Sequence, residues 1–231
     1  MTLITPLSAE EMTAILLSLR VSLVAVGAAL PFAVAAAWAL SRKRFPGQFA
    51  LNVLVHLPLV LPPVATGLAL LLLFGRAGPL GQILESMFGV SLAFRWTGAA
   101  LAAGIMALPL MVRAIRLSIE AVSTDYLEEA AVMGANRWQM FRHVVLPLAL
   151  PGVIAGAVLG YAKALGEFGA TITFVSNIPG ETQTIPAAIY SALQVPGGEW
   201  AALRLTFVSV AISVAALALS EGLARRQARR A

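Results

Sequence analysis

A charged segment in the middle of the chain reads Tyr126-Leu127-Glu128-Glu129-Ala130-Ala131-Val132-Met133-Gly134, and Leu146-Pro147 follows it. The segment interrupts a sequence in which 59% of the residues are hydrophobic and only 12% are charged. A soluble domain usually carries about a quarter of charged residues. Because the apolar residues also fall into long runs, the composition indicates a membrane protein with several spans. The charged segment is then the part of the chain that a partner can reach from the water side.

Five apolar segments are long enough to cross a bilayer, since a spanning helix needs about 20 residues. They lie near residues 13–40, 49–74, 96–113, 148–168 and 201–220. The sequence therefore predicts an all-α membrane protein with five transmembrane helices, built as a single domain over residues 1–231. The charged region between the third and fourth spans, residues 118–147, is expected to be a helical loop.

Basic residues mark one side of the membrane. They follow the first, third and fifth spans: Arg42, Lys43, Arg44; Arg113, Arg116, Arg137, Arg142; Arg225, Arg226, Arg229, Arg230. Lys and Arg accumulate in cytoplasmic loops. We therefore expect the N-terminus outside, the C-terminus in the cytoplasm and the 118–147 loop on the cytoplasmic side. The net charge of +5 then reflects topology, and no nucleic-acid partner is predicted.

Several kinds of chemistry are absent from the sequence. The chain has no cysteine, which excludes disulfides, thiolate metal sites and cysteine nucleophiles. His56 and His143 stand far apart and lack metal-ligand spacing. The sequence also has no GxxxxGK[ST] phosphate loop. We expect neither enzymatic activity nor a metal or cofactor on this chain.

The charged loop has the pattern of two short helices. Asp125 and Glu128 resemble a capping box and predict a helix start near Tyr126. Gly134, with the nearby Asn136, offers a turn. One face of the first helix collects mostly small residues at helical spacing, and one face of the second collects aromatic and aliphatic residues. These are Leu127, Ala130, Ala131 and Gly134 on the first, and Trp138, Phe141 and Val145 on the second.

The residues alone leave two interpretations of this loop open. It is a docking surface for a partner, or an interfacial loop whose Glu128 only caps its own helix. Pro147 marks the entry to the fourth span in either case.

Two clusters of residues are candidates for the lining of a pore. Pro58, Pro62 and Pro63 remove backbone donors within the second apolar segment. Irregular backbone at membrane depth is tolerated only inside the protein or along a cavity, so this segment is a pore candidate. A simple kink facing lipid is the alternative.

The second cluster lies on and after the fourth span. Lys163 and Glu167 are four residues apart and can pair on one helix face, as a functional group or as a self-satisfied structural pair. Thr171 and Thr173 are candidate gate hydroxyls on extended backbone, because their spacing of two suits an extended chain.

The charged loop resembles the loop by which ABC-importer permeases dock on their ATPase. The family pattern is Glu-Ala-Ala, three residues, Gly, nine residues, then an aliphatic residue, any residue, Leu and Pro. The matching positions here are Glu128, Ala130, Gly134, Val144, Leu146 and Pro147. Glu129 stands where the family has its first alanine. Further segments are similar to molybdate permeases of this class: residues 56–63, 94–97, 109–113, 165–171, 174–182 and 184–186.

The resemblance implies the type I importer permease fold and a pore formed by two copies of the chain in the bacterial inner membrane. It also implies a cytoplasmic ABC ATPase dimer, which holds the ATP and Mg²⁺, and a periplasmic molybdate-binding protein; the only other contact is membrane lipid. The implied docking residues are Glu128, Glu129, Ala130, Gly134, Trp138, Leu146 and Pro147.

Two alternatives stay open at this point. Tungstate and sulfate are rival substrates of the same class. In a different class, an ion-coupled secondary transporter would use Lys163 and Glu167 as its relay.

Overall fold

A computed structural model describes residues 6–42 and 45–228, and these residues form helices joined by turns and short loops. The helices are α1 (Ala9–Arg42), α2 (Gln48–Val60), α3 (Pro63–Phe74), α4 (Pro79–Phe88), α5 (Trp96–Glu120), α6 (Thr124–Val132), α7 (Arg137–Met140), a π-helix (Phe141–Val145), α8 (Leu146–Leu165), α9 (Gly169–Val175), α10 (Ile185–Ala192) and α11 (Glu199–Ala228). The predicted all-helical fold is confirmed. Among the basic residues that mark the orientation, Lys43, Arg44, Arg229 and Arg230 lie outside the described residues.

Within the described part of the chain, four helical segments are long and apolar enough to cross a membrane. They are α1, α5, the run Arg137–Leu165 and α11; a fifth is obtained if α2 and α3 together form one span. The number of spans and the side of each terminus stay predictions. Each of the four helical segments extends beyond the corresponding apolar run at one or both ends, because hydropathy marks the part in lipid and a helix can continue into water.

The second apolar segment is two helices rather than one. The axes of α2 and α3 are bent by 116° at the junction. Leu61 has a ψ angle of 145° and Pro62 has one of 134°, and both values belong to extended backbone. Pro63 occupies the first turn of α3. Two consecutive prolines explain the break, since they lack N–H donors and push the preceding residue out of the helical region. Pro58, by contrast, remains inside α2.

Helix α5 is the centre of the fold and packs between α1 and α8. Its inner face is built from small residues, and Ala99, Ala103 and Ala107 have no exposed surface. On α8, a Cβ at Gly160 would lie 2.6 Å from Met111 Cγ, and one at Gly156 would lie 3.0 Å from Ile115 Cγ1. Small residues let helices approach closely in lipid, where dispersion contacts replace the hydrophobic effect.

We expect Gly160→Leu to lower the thermal midpoint of the detergent-solubilised protein by about 2–12 °C, because overpacking costs about 1–3 kcal/mol. Gly27→Leu is the matched control, since a Cβ at Gly27 on α1 meets no atom within 4 Å. A thermal unfolding scan of both variants measures the difference. Equal midpoints for the two variants would contradict this packing.

A smaller second core joins the start of α1 to α10 and α11. Its buried centre is Ile15, Ile185 and Leu205. The Ser18 hydroxyl accepts a hydrogen bond of 2.7 Å from the Ile185 N–H. Arg204 Nη2 lies 2.8 Å from Glu11 Oε1 in a mostly buried ion pair. These contacts fix the first turns of α1 against the last long helix.

Candidate docking loop and candidate pore

The first helix of the loop is α6, and Ser123 caps it. The Ser123 hydroxyl accepts a hydrogen bond of 3.2 Å from the Asp125 N–H, and the helix begins at Thr124. The predicted start near Tyr126, capped by Asp125 and Glu128, is therefore wrong by two residues. Ser caps a helix as well as Asp does, and Asp125 then lies in the first turn, where a carboxylate favours the helix dipole.

The end of α6 depends on Gly134. Its φ is 82°, and its N–H donates a hydrogen bond of 3.0 Å to Ala131 O. The next N–H, that of Ala135, donates a hydrogen bond of 2.9 Å to Ala130 O. This pair of bonds is the Schellman motif, in which the left-handed residue is usually Gly. The predicted turn is confirmed, and its geometry requires a residue that tolerates positive φ.

The second helix starts with a capping box that the sequence interpretation missed. Asn136 Oδ1 accepts a hydrogen bond of 2.9 Å from the Gln139 N–H, and Gln139 Oε1 accepts one of 2.8 Å from the Asn136 N–H. The signal was present as Asn followed three residues later by Gln.

A π-helix, Phe141–Val145, then connects α7 to α8 without a break. Pro147, which lies in the first turn of α8, has no N–H to donate to the carbonyl four residues earlier, so it favours this local widening. The loop is therefore joined to the fourth apolar segment by one continuous rod.

An acidic and apolar surface covers the outer side of α6. Val132 is 89% exposed and Met133 81% exposed. With Asp125, Glu128 and Glu129 they surround a shallow depression. Two exposed apolar side chains beside three carboxylates form a surface of the kind that a soluble partner would cover. We name these five residues the acidic-apolar patch.

The predicted small-residue face of α6 lies on the other side. Leu127 packs against the large buried core around α5, and Ala130 is only 4% exposed. Ala131 and Gly134, in contrast, are exposed. Ala130 therefore supports the loop from within its own chain.

Aromatic contacts connect the loop to α1. The ring centroids of Trp138 and Phe141 lie 5.6 Å apart, and those of Phe141 and Trp38 lie 4.6 Å apart. Trp138 remains 60% exposed, while Phe141 is buried. The base of the loop is thus held to the last turns of α1. Leu146 is half-buried and Pro147 is exposed at the start of α8.

The structure brings most of the candidate pore residues together. Helix α3 packs directly on α9: a Cβ at Gly67 would lie 2.8 Å from Thr173 Cβ, and one at Gly169 would lie 2.7 Å from Pro63 Cβ. Pro62 and Pro63 are exposed at the break, and Pro58 is half-buried on α2.

Lys163 and Glu167 form the predicted pair. Lys163 Nζ lies 2.6 Å from Glu167 Oε2. Glu167 is only 2% exposed, and its other oxygen accepts a hydrogen bond of 3.0 Å from the Ala170 N–H. The carboxylate therefore neutralises a lysine and caps the start of α9 at the same time.

The two threonines do not lie on extended backbone, and this prediction is wrong. Both belong to α9. The Thr171 hydroxyl donates a hydrogen bond of 2.9 Å to Phe168 O, and the Thr173 hydroxyl donates one of 2.8 Å to Gly169 O. The Glu167 carboxylate caps the start of a new helix here. The Thr171 and Thr173 hydroxyl groups then bond to backbone carbonyl groups at the start of this same helix.

Thr66 is a candidate that sequence reasoning missed. It lies in the first turns of α3, is 6% exposed, and its hydroxyl has no hydrogen-bond partner among the described residues. Polar groups inside a membrane segment are costly and are commonly functional. As the only residue with a polar side chain in α3, it could have been found from the sequence.

Comparison with known proteins decides the family. The profile described as binding-protein-dependent transport system inner membrane component matches residues 29–229. The chain belongs to this family. It is therefore a multi-pass membrane protein and a component of a transport system.

Close relatives within this family carry specific names. The chain is 53% identical over 225 residues to the molybdenum transport system permease protein ModB of Escherichia coli K12, covering 97% of this chain and 98% of the relative. It is 50% identical to ModB of Haemophilus influenzae, covering 94% of each. Identity to the sulfate transport system permease protein CysW of Synechococcus elongatus is lower, at 38%, over 94% of this chain and 76% of the relative.

Solved structures confirm the permease fold. A bacterial ABC transporter involved in alginate import aligns with a TM-score of 0.74 at 18% identity, over 95% of this chain and 80% of that one. The MetNI methionine ABC transporter aligns with a TM-score of 0.72 at 15% identity, over 95% and 99%. At these identities the likeness concerns the fold alone. The predicted type I ABC-importer permease fold is therefore borne out.

Proposed function

We propose that this family member is the pore-forming permease of an ATP-driven molybdate importer. The observation that carries the proposal is the 50–53% identity to molybdenum permeases over nearly the full length of both proteins. The sulfate relative is less similar, at 38%. Tungstate, which is nearly isosteric with molybdate, remains a rival substrate within the same class.

A separate ABC ATPase supplies the energy and holds the ATP and Mg²⁺. The ATPase binds to the acidic-apolar patch of α6. Burial of the exposed Val132 and Met133 side chains stabilises the contact, and the carboxylates pair with basic residues of the ATPase. The rod formed by α7, the π-helix and α8 then carries the movement of the patch into the membrane. Glu128 and Glu129 belong to this contact, and Trp138 holds the adjoining turn.

The pore itself needs a second copy of the chain. In the single chain the 116° break at Leu61 and Pro62 is exposed, and the irregular backbone needs protein or a water-filled cavity beside it. Two copies facing each other would enclose this break between them. A periplasmic molybdate-binding protein delivers the anion at the outer end.

The lining fits an anion that must also leave. Lys163 is neutralised by Glu167, so no fixed positive charge traps a divalent oxyanion. The helix dipole at the N-terminus of α3 offers a weaker contact. We expect weak binding along the path, with selectivity supplied mainly by the binding protein.

The π-helix gives a test of the rod. Deletion of both Arg142 and His143 from the π-helix should turn the acidic-apolar patch by about 100° around the rod axis relative to α8. Loss of the first residue only closes the wide turn to an ordinary α-helical turn, and loss of the second rotates an α-helix of 3.6 residues per turn by one residue. We expect at least a tenfold loss of uptake with the ATPase still folded. The control is Arg142→Ala, His143→Ala, since both side chains are exposed and His143 bonds only to a carbonyl of its own helical run, Gln139 O, among the hydrogen bonds of the described residues. Unchanged uptake after the deletion would show that the rod does not transmit the movement.

Substrate choice is tested by initial uptake rates of molybdate, tungstate and sulfate in vesicles that contain the chain, its ATPase and its binding protein. We expect molybdate and tungstate to be transported and to compete, with sulfate at least tenfold slower. Sulfate uptake as fast as that of molybdate would overturn the proposed substrate.

A further inference from the structure

An apolar groove runs between α1 and α5 and is separate from the docking loop and the pore candidates. Its walls are Val24, Ala28 and Phe32 on α1 and Leu101, Ile105 and Leu108 on α5. The cavity measures about 410 Å³, which is within the range of small-molecule sites. Phe32 is 71% exposed and Val24 43% exposed. The groove is thus open to the side of the protein.

A cation stands at one end of the groove. Arg20 lies one helical turn before Val24, and its Cζ is 3.8 Å from the ring centroid of Trp96. Both Arg20 and the neighbouring Arg95 are exposed. A tryptophan and arginines at one level are typical of the membrane–water interface, where lipid phosphates lie.

Distances along α1 agree with a position of Arg20 at the membrane–water interface. From Arg20 to Arg42, where α1 ends, the rise is about 33 Å, close to the ~30 Å of the hydrocarbon core. From Arg20 to Phe32 the rise is about 18 Å, close to half of that core. The groove therefore has the depth of one leaflet.

The end of the groove that lies away from Arg20 shows that it fits a lipid chain better than a protein helix. Beyond Phe32 the inner face of α1 is closed by its own chain, since Ala33 and Ala37 have no exposed surface and Leu40 is 2% exposed. A transmembrane helix of a second copy would need a groove across both leaflets, whereas one acyl chain needs only one.

We propose that the groove between α1 and α5 binds one phospholipid of the membrane, with its phosphate at Arg20 and an acyl chain against Ala28 and Phe32. The outer leaflet is assigned from the orientation that the basic residues predict, in which α1 begins on the outer side.

The test is native mass spectrometry of the full chain, reconstituted in phosphatidylethanolamine and phosphatidylglycerol vesicles and then extracted in mild detergent. We expect one retained phospholipid per chain. Ala28→Phe, which fills the groove, should lower this occupancy at least fivefold, whereas Ala35→Phe, at an exposed position on the same helix outside the groove, should keep it. Arg20→Gln should lower it about fivefold, because a basic residue near the surface contributes about 1 kcal/mol to lipid attraction.

Arg20→Gln also guards against misfolding, since it shortens an exposed side chain and removes only its contact with the Trp96 ring among the contacts described above. Absence of a lipid on the unaltered protein, or equal occupancy in Ala28→Phe and Ala35→Phe, would overturn the proposal. So would a dimer that becomes a monomer in Ala28→Phe while the lipid count stays the same, because a second copy would then occupy the groove. The measurement needs neither ATPase nor molybdate, so a failure of the transport proposal would leave its result unaffected.

Discussion

Gly134→Val is expected to reduce ATP-driven uptake at least tenfold while the chain still inserts into the membrane. Gly134 has a φ of 82°, and a β-branched residue in that region costs about 1–3 kcal/mol. The two hydrogen bonds that end α6 depend on this turn, so its loss shifts α6 relative to α7 and misplaces Val132 and Met133. The measurement is molybdate uptake, together with retention of the ATPase by the immobilised permease.

Gly134→Asn is the matched control, since Asn tolerates the left-handed region. A Cβ at Gly134 meets no atom within 4 Å, so neither substitution creates a clash and only the backbone preference differs. We expect Gly134→Asn to keep most of the uptake. Equal uptake by the Val and Asn variants would show that the end of α6 does not position the docking surface.

Removing the buried carboxylate of Glu167 is expected to have the second large effect. Glu167→Ala leaves Lys163 without its partner and the Ala170 N–H without its acceptor. Breaking a buried pair in this way costs about 3 kcal/mol or more. We expect a strongly reduced yield of folded protein and a lower thermal midpoint, with uptake lost as a consequence.

The double variant Lys163→Gln, Glu167→Gln separates structure from transport. Two amides keep hydrogen bonds to each other and to the Ala170 N–H but carry no charge. Because both charges are removed together, we expect a folded protein with uptake within about threefold of the unaltered chain. A double variant that folds but no longer transports molybdate would show instead that these charges act in the pathway.

The arrangement along the chain was predictable where composition alone decides it. Long apolar runs have no alternative in lipid to the helix, so the long helical regions were found from hydropathy. The Lys163–Glu167 pair was predictable as well, because a spacing of four places both side chains on one face.

Features that depend on neighbouring helices were not predictable in the same way. The prolines at 62 and 63 predict a break, but the angle of 116° arises from the packing of α3 on α9. The hydroxyl groups of Thr171 and Thr173 could not be assigned, because the start of α9 depends on the Glu167 cap. The π-helix has no clear sequence signature beyond Pro147.

The loop shows both cases within a few residues. The turn at Gly134 was found because few residues tolerate positive φ. The inward position of Ala130 was not predicted. Helical spacing shows which residues share one face of α6, but it does not show whether that face points toward the core or toward water.

The most direct measurement is accumulation of molybdate in sealed vesicles that contain this chain, its ATPase and its binding protein. We predict accumulation that requires hydrolysable ATP on the ATPase side, stops with a non-hydrolysable analogue, and falls at least tenfold in the variant Glu128→Ala, Gly134→Val. Vesicles that hold the chain alone should show no uptake in a pH gradient. Uptake by the chain alone, driven by that gradient and indifferent to ATP, would contradict the account and indicate an ion-coupled transporter.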